Sequence, residues 1–371
     1  MKARHGFGIV IALAFVTVAR SGHELPVYPS YYPHEIEIAA VAPDQASEPL
    51  QQGKLHAYIG PLRFAGVPPD TVRAIETLGS YVIVRVNPDL YDERACAVSG
   101  AVLRDLAART GSFVFHPYPV TPFHGDYLHH ADVADAVKAR ASAPAAKVEP
   151  SPKVKASGDL AALIRPEWIA REGEWDAEIL EVDAAAMMRN AMLAVNGWLA
   201  PPWLKSGWFY AEHLLADAIT DPAAKERMQT DVRRLSTVDY DGLVERINLE
   251  RDLIRRLSGC RKVVAGYTLK REYINVEFSA GIENISYDSI AGLNSPMFLR
   301  TVKLKDFPWN GWLALGVDGQ ASAAWNPIAG MTDRFGQLMW FAVGDAAVIP
   351  SPYESGWVLN RITDVQQAPA R

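Results

Sequence analysis

The densest group of side chains able to bind an ion or move a proton lies in FHPYPVTPFHGDYLHHAD, residues 115–132. It holds His116, His124, Asp126, His129, His130 and Asp132. Imidazole nitrogens and carboxylate oxygens together suit Zn²⁺ or Cu²⁺. If Asp126 caps a helix starting at Tyr127, His129 and His130 fall in its first turn. His130 then stands four residues from Asp126, near enough to converge on one ion. On this reading His116, His124, Asp126, His129 and His130 form the metal set of a periplasmic metal-dependent enzyme. The competing reading makes Asp126 an ordinary N-cap and the imidazoles solvated groups or partners of the backbone, because the spacing matches no established ligand motif.

A second candidate is aromatic. WLAPPWLKSGWFY, residues 198–210, places Trp198, Trp203, Trp208, Phe209 and Tyr210 along a Pro-broken helix junction. Flat ring faces stack on planar ligands, and a cleft they line with a few polar groups would be a binding site, although such rings are also ordinary core material. Trp203, Trp208 and Tyr210 are therefore expected to contact a ligand or partner across an interdomain surface. His213 is spaced four residues from Asp217, as an acid/base dyad or a plain helix-surface pair would be. Nucleophile elbows, HExxH, phosphate-binding glycine loops and CxxC pairs are missing from the sequence, which favours binding over catalysis.

The elements that must carry these groups change character along the chain. The stretch 141–158, rich in Pro, Ala and Lys, reads as a linker. All ten Trp follow it, whereas His213 alone of the nine His does. Residues 22–140 alternate strand and helix signals and predict an α/β domain with a partly parallel sheet. Strands are expected over 35–41, 54–60, 81–86 and 112–116, and helices over 43–52, 71–78 (between Asp70 and Gly79) and 91–109. Residues 159–371 predict a Trp-rich α+β domain, helices first and then an antiparallel, hairpin-rich sheet. The helices fall at 176–196, 207–220, 222–236 and 241–258. Strands are expected over 262–269, 273–278, 298–304, 312–317, 322–325, 338–343 and 357–362, with Asp318-Gly319 as a hairpin turn.

Location decides which chemistry is plausible. A run of apolar residues over 7–19 follows Lys2, Arg4 and His5, and Ala19 and Ser21 precede Gly22. This pattern predicts a signal peptide over 1–21 and a periplasmic or secreted product without a transmembrane segment in the mature chain. A cut after Gly22 would leave His23 first, resembling the histidine brace of lytic polysaccharide monooxygenases. A cut after Ser21 fits the small-residue preference better. Cys96 and Cys260 are the only cysteines and either pair as a disulfide in an oxidising compartment or remain two buried thiols. A formal net charge of −6 argues against nucleic acid as a partner. PVYPSYYP, residues 26–33, reads as an extended arm.

GKLHAYIG, residues 53–60, resembles a stretch of periplasmic solute-binding proteins in which a Gly precedes a strand reaching the ligand cleft. Those proteins commonly carry Asp where this chain has His56, so the resemblance implies that His56 faces a ligand. The sequence as a whole points to an exported binding or accessory protein for a small molecule or an envelope protein. No cofactor is required by it beyond the Cu or Zn that the histidine segment could hold.

Overall fold

The computed structural model describes residues 31, 33–109, 111, 113–144, 148–171, 173–194, 202–322, 324–326, 330–344 and 346–364. The leader, His23, most of the Tyr-rich arm and Trp198 lie outside them. In chain order the first elements are β1 (Glu35–Ala40), α1 (Ser47–Gln51), β2 (Ala57–Ile59), β3 (Val72–Val86), α2 (Asp92–Ala107), β4 (Val114–Phe115), α3 (Ala131–Ser142), β5 (Val154–Ala156) and β6 (Ala177–Asp183). Four helices follow: α4 (Ala184–Ala194), α5 (Gly207–Leu215), α6 (Pro222–Thr237) and α7 (Gly242–Leu257). The chain continues with β7 (Lys262–Asn275), β8 (Ile282–Glu283), α8 (Pro296–Thr301), β9 (Lys303–Leu304), β10 (Trp312–Val317), α9 (Arg334–Val343), β11 (Val348–Pro350) and β12 (Trp357–Leu359).

The architecture is mixed α/β. One eight-stranded sheet runs β1-β10-β2-β7-β3-β6-β5, with β4 pairing β7 beside that path. It is partly parallel: β10 lies between β1 and β2 and is parallel to both, while β7 is antiparallel to β2, β3 and β4. Strands from both sides of the 141–158 stretch share this sheet, since β3 and β7 pair from Val72↔Asn275 to Arg85↔Lys262. Period-two side-chain direction splits β3 between two cores. Tyr81 and Ile83 join the side covered by α5, α6 and α7, whereas Val82 and Val84 join Val98, Val102 and Leu106 of α2 on the other. A third core gathers Phe298 and Leu299 of α8, Leu338 of α9 and the inner residues of β10.

Four sequence expectations are corrected. Residues 71–78 are not a helix but the first half of β3, because its backbone pairs residue by residue with β7. Gly79 is no helix stop: it marks a register shift where a Cβ would stand 2.9 Å from Thr268 Oγ1 and 3.1 Å from Lys270 N. The segment 176–196 opens as β6, whose Ala177 and Ile179 are buried with period two, and becomes helical only at Ala184. Residues 298–304 and 338–343 are largely helical rather than extended. Ser295 accepts from Phe298 N ahead of Pro296 at the start of α8, and Asp333 accepts from Gly336 N (2.7 Å) at the start of α9. Asp318-Gly319 turns no hairpin, since both neighbours of β10 run parallel to it, and Asp318 instead holds Arg334 (2.5 Å).

Asp221 caps α6 with Pro222 at its first position, accepting from Ala224 N at 2.8 Å. Cys96 in α2 and Cys260 before β7 form a disulfide with Cα atoms 4.7 Å apart. Among the described residues no helix is long and apolar enough to cross a membrane.

Candidate functional site

The histidine segment folds inward. Thr121, His124, Asp126 and His130 are all buried, and the helix expected from Tyr127 is a single 3₁₀ turn, Tyr127–His129, followed by α3. Asp126 does not cap that turn. Its Oδ2 accepts from Gly207 N (3.0 Å) at the head of α5, and its Oδ1 is buried without a hydrogen-bond partner. Burial, reinforced by the nearby Glu250 charge, raises the Asp126 carboxyl above the usual carboxylate range.

The imidazoles have separate duties. His124 Nδ1 accepts from Thr121 N (2.9 Å), so its proton sits on Nε2, 3.3 Å from Tyr81 Oη, and burial pushes its pKa down to about 3. His116 Nε2 donates to Val120 O (2.9 Å), and burial lowers its pKa. His129 is half-buried and engages Arg251 only through its carbonyl, at 2.8 Å from Nε. His130 places Nδ1 2.9 Å from Tyr118 Oη and Nε2 3.4 Å from Glu250 Oε2. Of the five residues expected to form one metal set, the fold therefore brings together Asp126 and His130, and it adds Glu250 from α7. One ligand atom from each of these three lies within 4.8 Å of the others. Glu250 was absent from the sequence reading, yet it had a signal. It sits three, four and seven residues before Leu253, Ile254 and Leu257, an acid on the apolar face of its helix.

A separate cavity of about 540 Å³ is lined in part by Leu204 and Lys205, just ahead of the Gly207 that binds Asp126. Asp183, Met188 and Arg189 at the β6–α4 junction form one wall, and Leu204 and Lys205 another. Lys270 of β7, Asp288, Asn294, Arg334 of α9 and Trp357 of β12 complete it. Most of its charges are matched. Buried Lys205 contacts Asp288 and the Ser351 carbonyl, and Asp288 Oδ1 accepts from Ile290 N and Ala291 N, each at 2.9 Å. Lys270 meets Glu272 (2.7 Å), and Arg334 meets Asp318. Two remain open. Among the described residues, exposed Arg189 has no ion-pair partner and the Asp183 carboxylate accepts only from the backbone N of Ala186 (2.5 Å).

The aromatic residues expected to form the contact surface are placed otherwise. Trp208 and Tyr210 are buried in the core, and half-buried Trp203 packs against Trp208 and Phe209 with ring centroids 5.4 and 5.7 Å away. Their large apolar areas close the core beneath α5, while Leu204 and Lys205 of the same segment line the cavity. Tyr210 packs beside the histidine segment. Its ring lies 5.1 Å from that of His124, and burial, aided by the charges of Asp288 and Asp183, raises its pKa well above the usual value. His56 is engaged inside the sheet, accepting from Ala314 N at Nδ1 (2.9 Å), and burial lowers its pKa. His213 pairs with Glu212 (2.7 Å) and Asp217 with Lys262 (2.9 Å), so these two form no dyad.

No family model and no curated protein matches the chain. Parts of solved structures do. HbpA2 from Haemophilus parasuis aligns at TM-score 0.41 and 12% identity, covering 70% of this chain and 55% of its own. NikA from Brucella suis, in complex with Fe(III)-EDTA, aligns at 0.32 and 11%, covering 64% and 53%. The oligopeptide-binding protein OppA aligns at 0.27 and 11%, covering 55% and 44%. The chain thus spans about half the length of each. The chemistry of the site comes from this chain's own residues.

Proposed function

We propose that the chain is an exported binding protein of the cell envelope that holds a small zwitterionic solute, such as an amino acid or short peptide, in the cavity beside α4. The observation that carries this reading is the charge inventory of that cavity. Its volume of about 540 Å³ suits a small molecule. Lys205, Lys270 and Arg334 are each occupied by an acid of the protein, which leaves Arg189 and Asp183 to meet a ligand's carboxylate and ammonium. The disulfide supports an oxidising compartment, in agreement with the expected leader.

Calorimetric titration with amino acids, di- and tripeptides, dicarboxylates and sugars tests it. Zwitterions should bind, and Arg189→Gln should weaken them roughly 10- to 150-fold, the range for a charge-assisted hydrogen bond of about 1.5–3 kcal/mol. Failure of every zwitterion to bind, or unchanged affinity in both Arg189→Gln and Asp183→Asn, would reject the assignment.

A second reading rests on Phe307, Trp309 and Trp312, which are 64%, 63% and 71% exposed just ahead of and at the start of β10. Large apolar side chains grouped in this way suit contact with an envelope protein. Cross-linking in the native host, lost in a Trp309→Ser/Trp312→Ser variant while solute titration is unaffected, would support that use of the surface.

A further inference from the structure

The buried trio Asp126, His130 and Glu250 poses an electrostatic problem apart from the cavity. Two carboxylates and an imidazole converge from the 3₁₀ turn, the head of α3 and the middle of α7, all 7% exposed or less. In the tautomer whose Nδ1–H donates to Tyr118 Oη (2.9 Å), His130 Nε2 presents a lone pair toward Glu250 Oε2 at 3.4 Å. In that arrangement two acceptors face each other in a low-dielectric interior, which costs energy unless a proton or a cation lies between them. Arg246 Nε, 3.5 Å from Glu250 Oε1, offsets part of the negative charge from one side. A proton on Nε2 would serve Glu250 alone and leave Asp126 Oδ1, buried and unpartnered, as it is. One divalent ion would meet all three.

We infer that Asp126, His130 and Glu250 form a structural site for a divalent transition-metal ion such as Zn²⁺, with Tyr118 as the partner that orients His130. The 3.4 Å between Nε2 and Oε2 matches the edge of a tetrahedron with bonds of about 2.1 Å, which is about 3.4 Å. Tyr118 plays the part of the outer group to which a metal-bound imidazole gives its other N–H. The ion would tie α3 to α7 across the sequence and, through Asp126 Oδ2 on Gly207 N, to the start of α5. The set differs from the one the sequence suggested: among the described residues the ligand atoms that converge are those of Asp126, His130 and Glu250, and His116, His124 and His129 are not in that group.

The test uses the full chain purified without a polyhistidine tag, stripped with a chelator and dialysed against Zn²⁺. Elemental analysis should give one ion per chain and thermal unfolding should shift upward. Asp126→Asn and Glu250→Gln should abolish stoichiometric loading, and Tyr118→Phe should weaken it by roughly 10–100-fold, as loss of an orienting partner does. Co²⁺ on the unaltered chain gives a readout that needs no variant, a visible spectrum of low-symmetry nitrogen and oxygen coordination. Absence of stoichiometric Zn²⁺ together with absence of that spectrum would overturn the site, as would full-strength loading of a folded Asp126→Asn or Glu250→Gln chain.

Discussion

Replacing both Cys96 and Cys260 with Ser removes a cross-link whose worth can be worked from its span. The two residues are 164 positions apart in sequence, so the loop-closure relation gives about 17 cal/mol/K, or about 5 kcal/mol at 25 °C. Measured values usually fall nearer 2–4 kcal/mol because the unfolded chain retains structure, so the expected loss is about 2–5 kcal/mol. That is a large share of a total stability of roughly 5–15 kcal/mol. The native site should persist without the bond. Val98, Val102 and Leu106 keep α2 on the sheet, and Arg261 still holds Asp92 (2.7 Å) and the carbonyls of Asn87 and Pro88. The effect therefore lies in the unfolded state, and guanidinium unfolding followed by Trp fluorescence should show both a lower midpoint and a steeper denaturant slope, since a chain freed of the link expands further. A loss below about 0.5 kcal/mol with an unchanged slope would refute this account.

Two other perturbations test the interior. Gly266→Ala should destabilise by about 2–4 kcal/mol, because the new Cβ would fall 2.0 Å from the Val114 carbonyl oxygen and push β4 from β7; a melting temperature within a degree of the parent would contradict this. His124, neutral in the fold with its pKa near 3 against about 6.5 when unfolded, makes the unfolded chain the better proton binder between those values. Its contribution is complete above pH 6.5 and is lost on acidification by up to about 1.4 kcal/mol per pH unit, so in chelator the stability of the parent minus that of His124→Gln should fall between pH 6.5 and 4. Asp126, raised by burial, acts in the opposite direction and cancels in that difference if its environment is kept; a flat difference would place the His124 pKa near its ordinary value.

Local signals in the sequence were readable where one element's own chemistry decided its form. Asp221-Pro222 opened α6, and the alternation in EIEIAA marked β1. Reading failed where distant pairing decided. VRAIETL has capping residues on both sides and apolar spacing that a helix could use, but twelve of the fifteen residues of β3 find partners along β7, almost two hundred positions away. The starts of α8 and α9 carried legible caps in Ser295-Pro296 and Asp333, overlooked because their apolar residues suggested strands. At the site the same division holds. Asp126 and His130 stood out by spacing, whereas Glu250 is 120 positions from His130 and only the packing of α7 brings it near. Aromatic density has a second use: Trp208 and Tyr210 are buried in the core, where their large apolar areas are removed from water.

The cost of the arrangement around residues 205–207 argues that it serves a purpose other than stability. Lys205 reaches into the cavity to Asp288 and Ser351, Ser206 meets Ser355 (2.7 Å), and Gly207 N donates to Asp126. Apolar side chains of similar volume in place of such a buried ion pair are often neutral or stabilising by about 1–4 kcal/mol. Among the described residues, the buried polar atoms without hydrogen-bond partners include Asp126 Oδ1, Tyr210 Oη, Arg246 Nε, Ser289 Oγ and Asn294 Oδ1. Each carries a desolvation penalty of roughly 1–3 kcal/mol that a core selected for stability alone would avoid. Asp126 belongs to the Asp126–His130–Glu250 trio, Arg246 lies 3.5 Å from Glu250 and Asn294 lines the cavity, while the α2 side of the sheet is closed largely by Val, Leu, Ile and Phe. Polar groups left open beside a cavity are what the proposed solute and ion sites would use, at a cost in stability that the α2 side of the sheet does not carry.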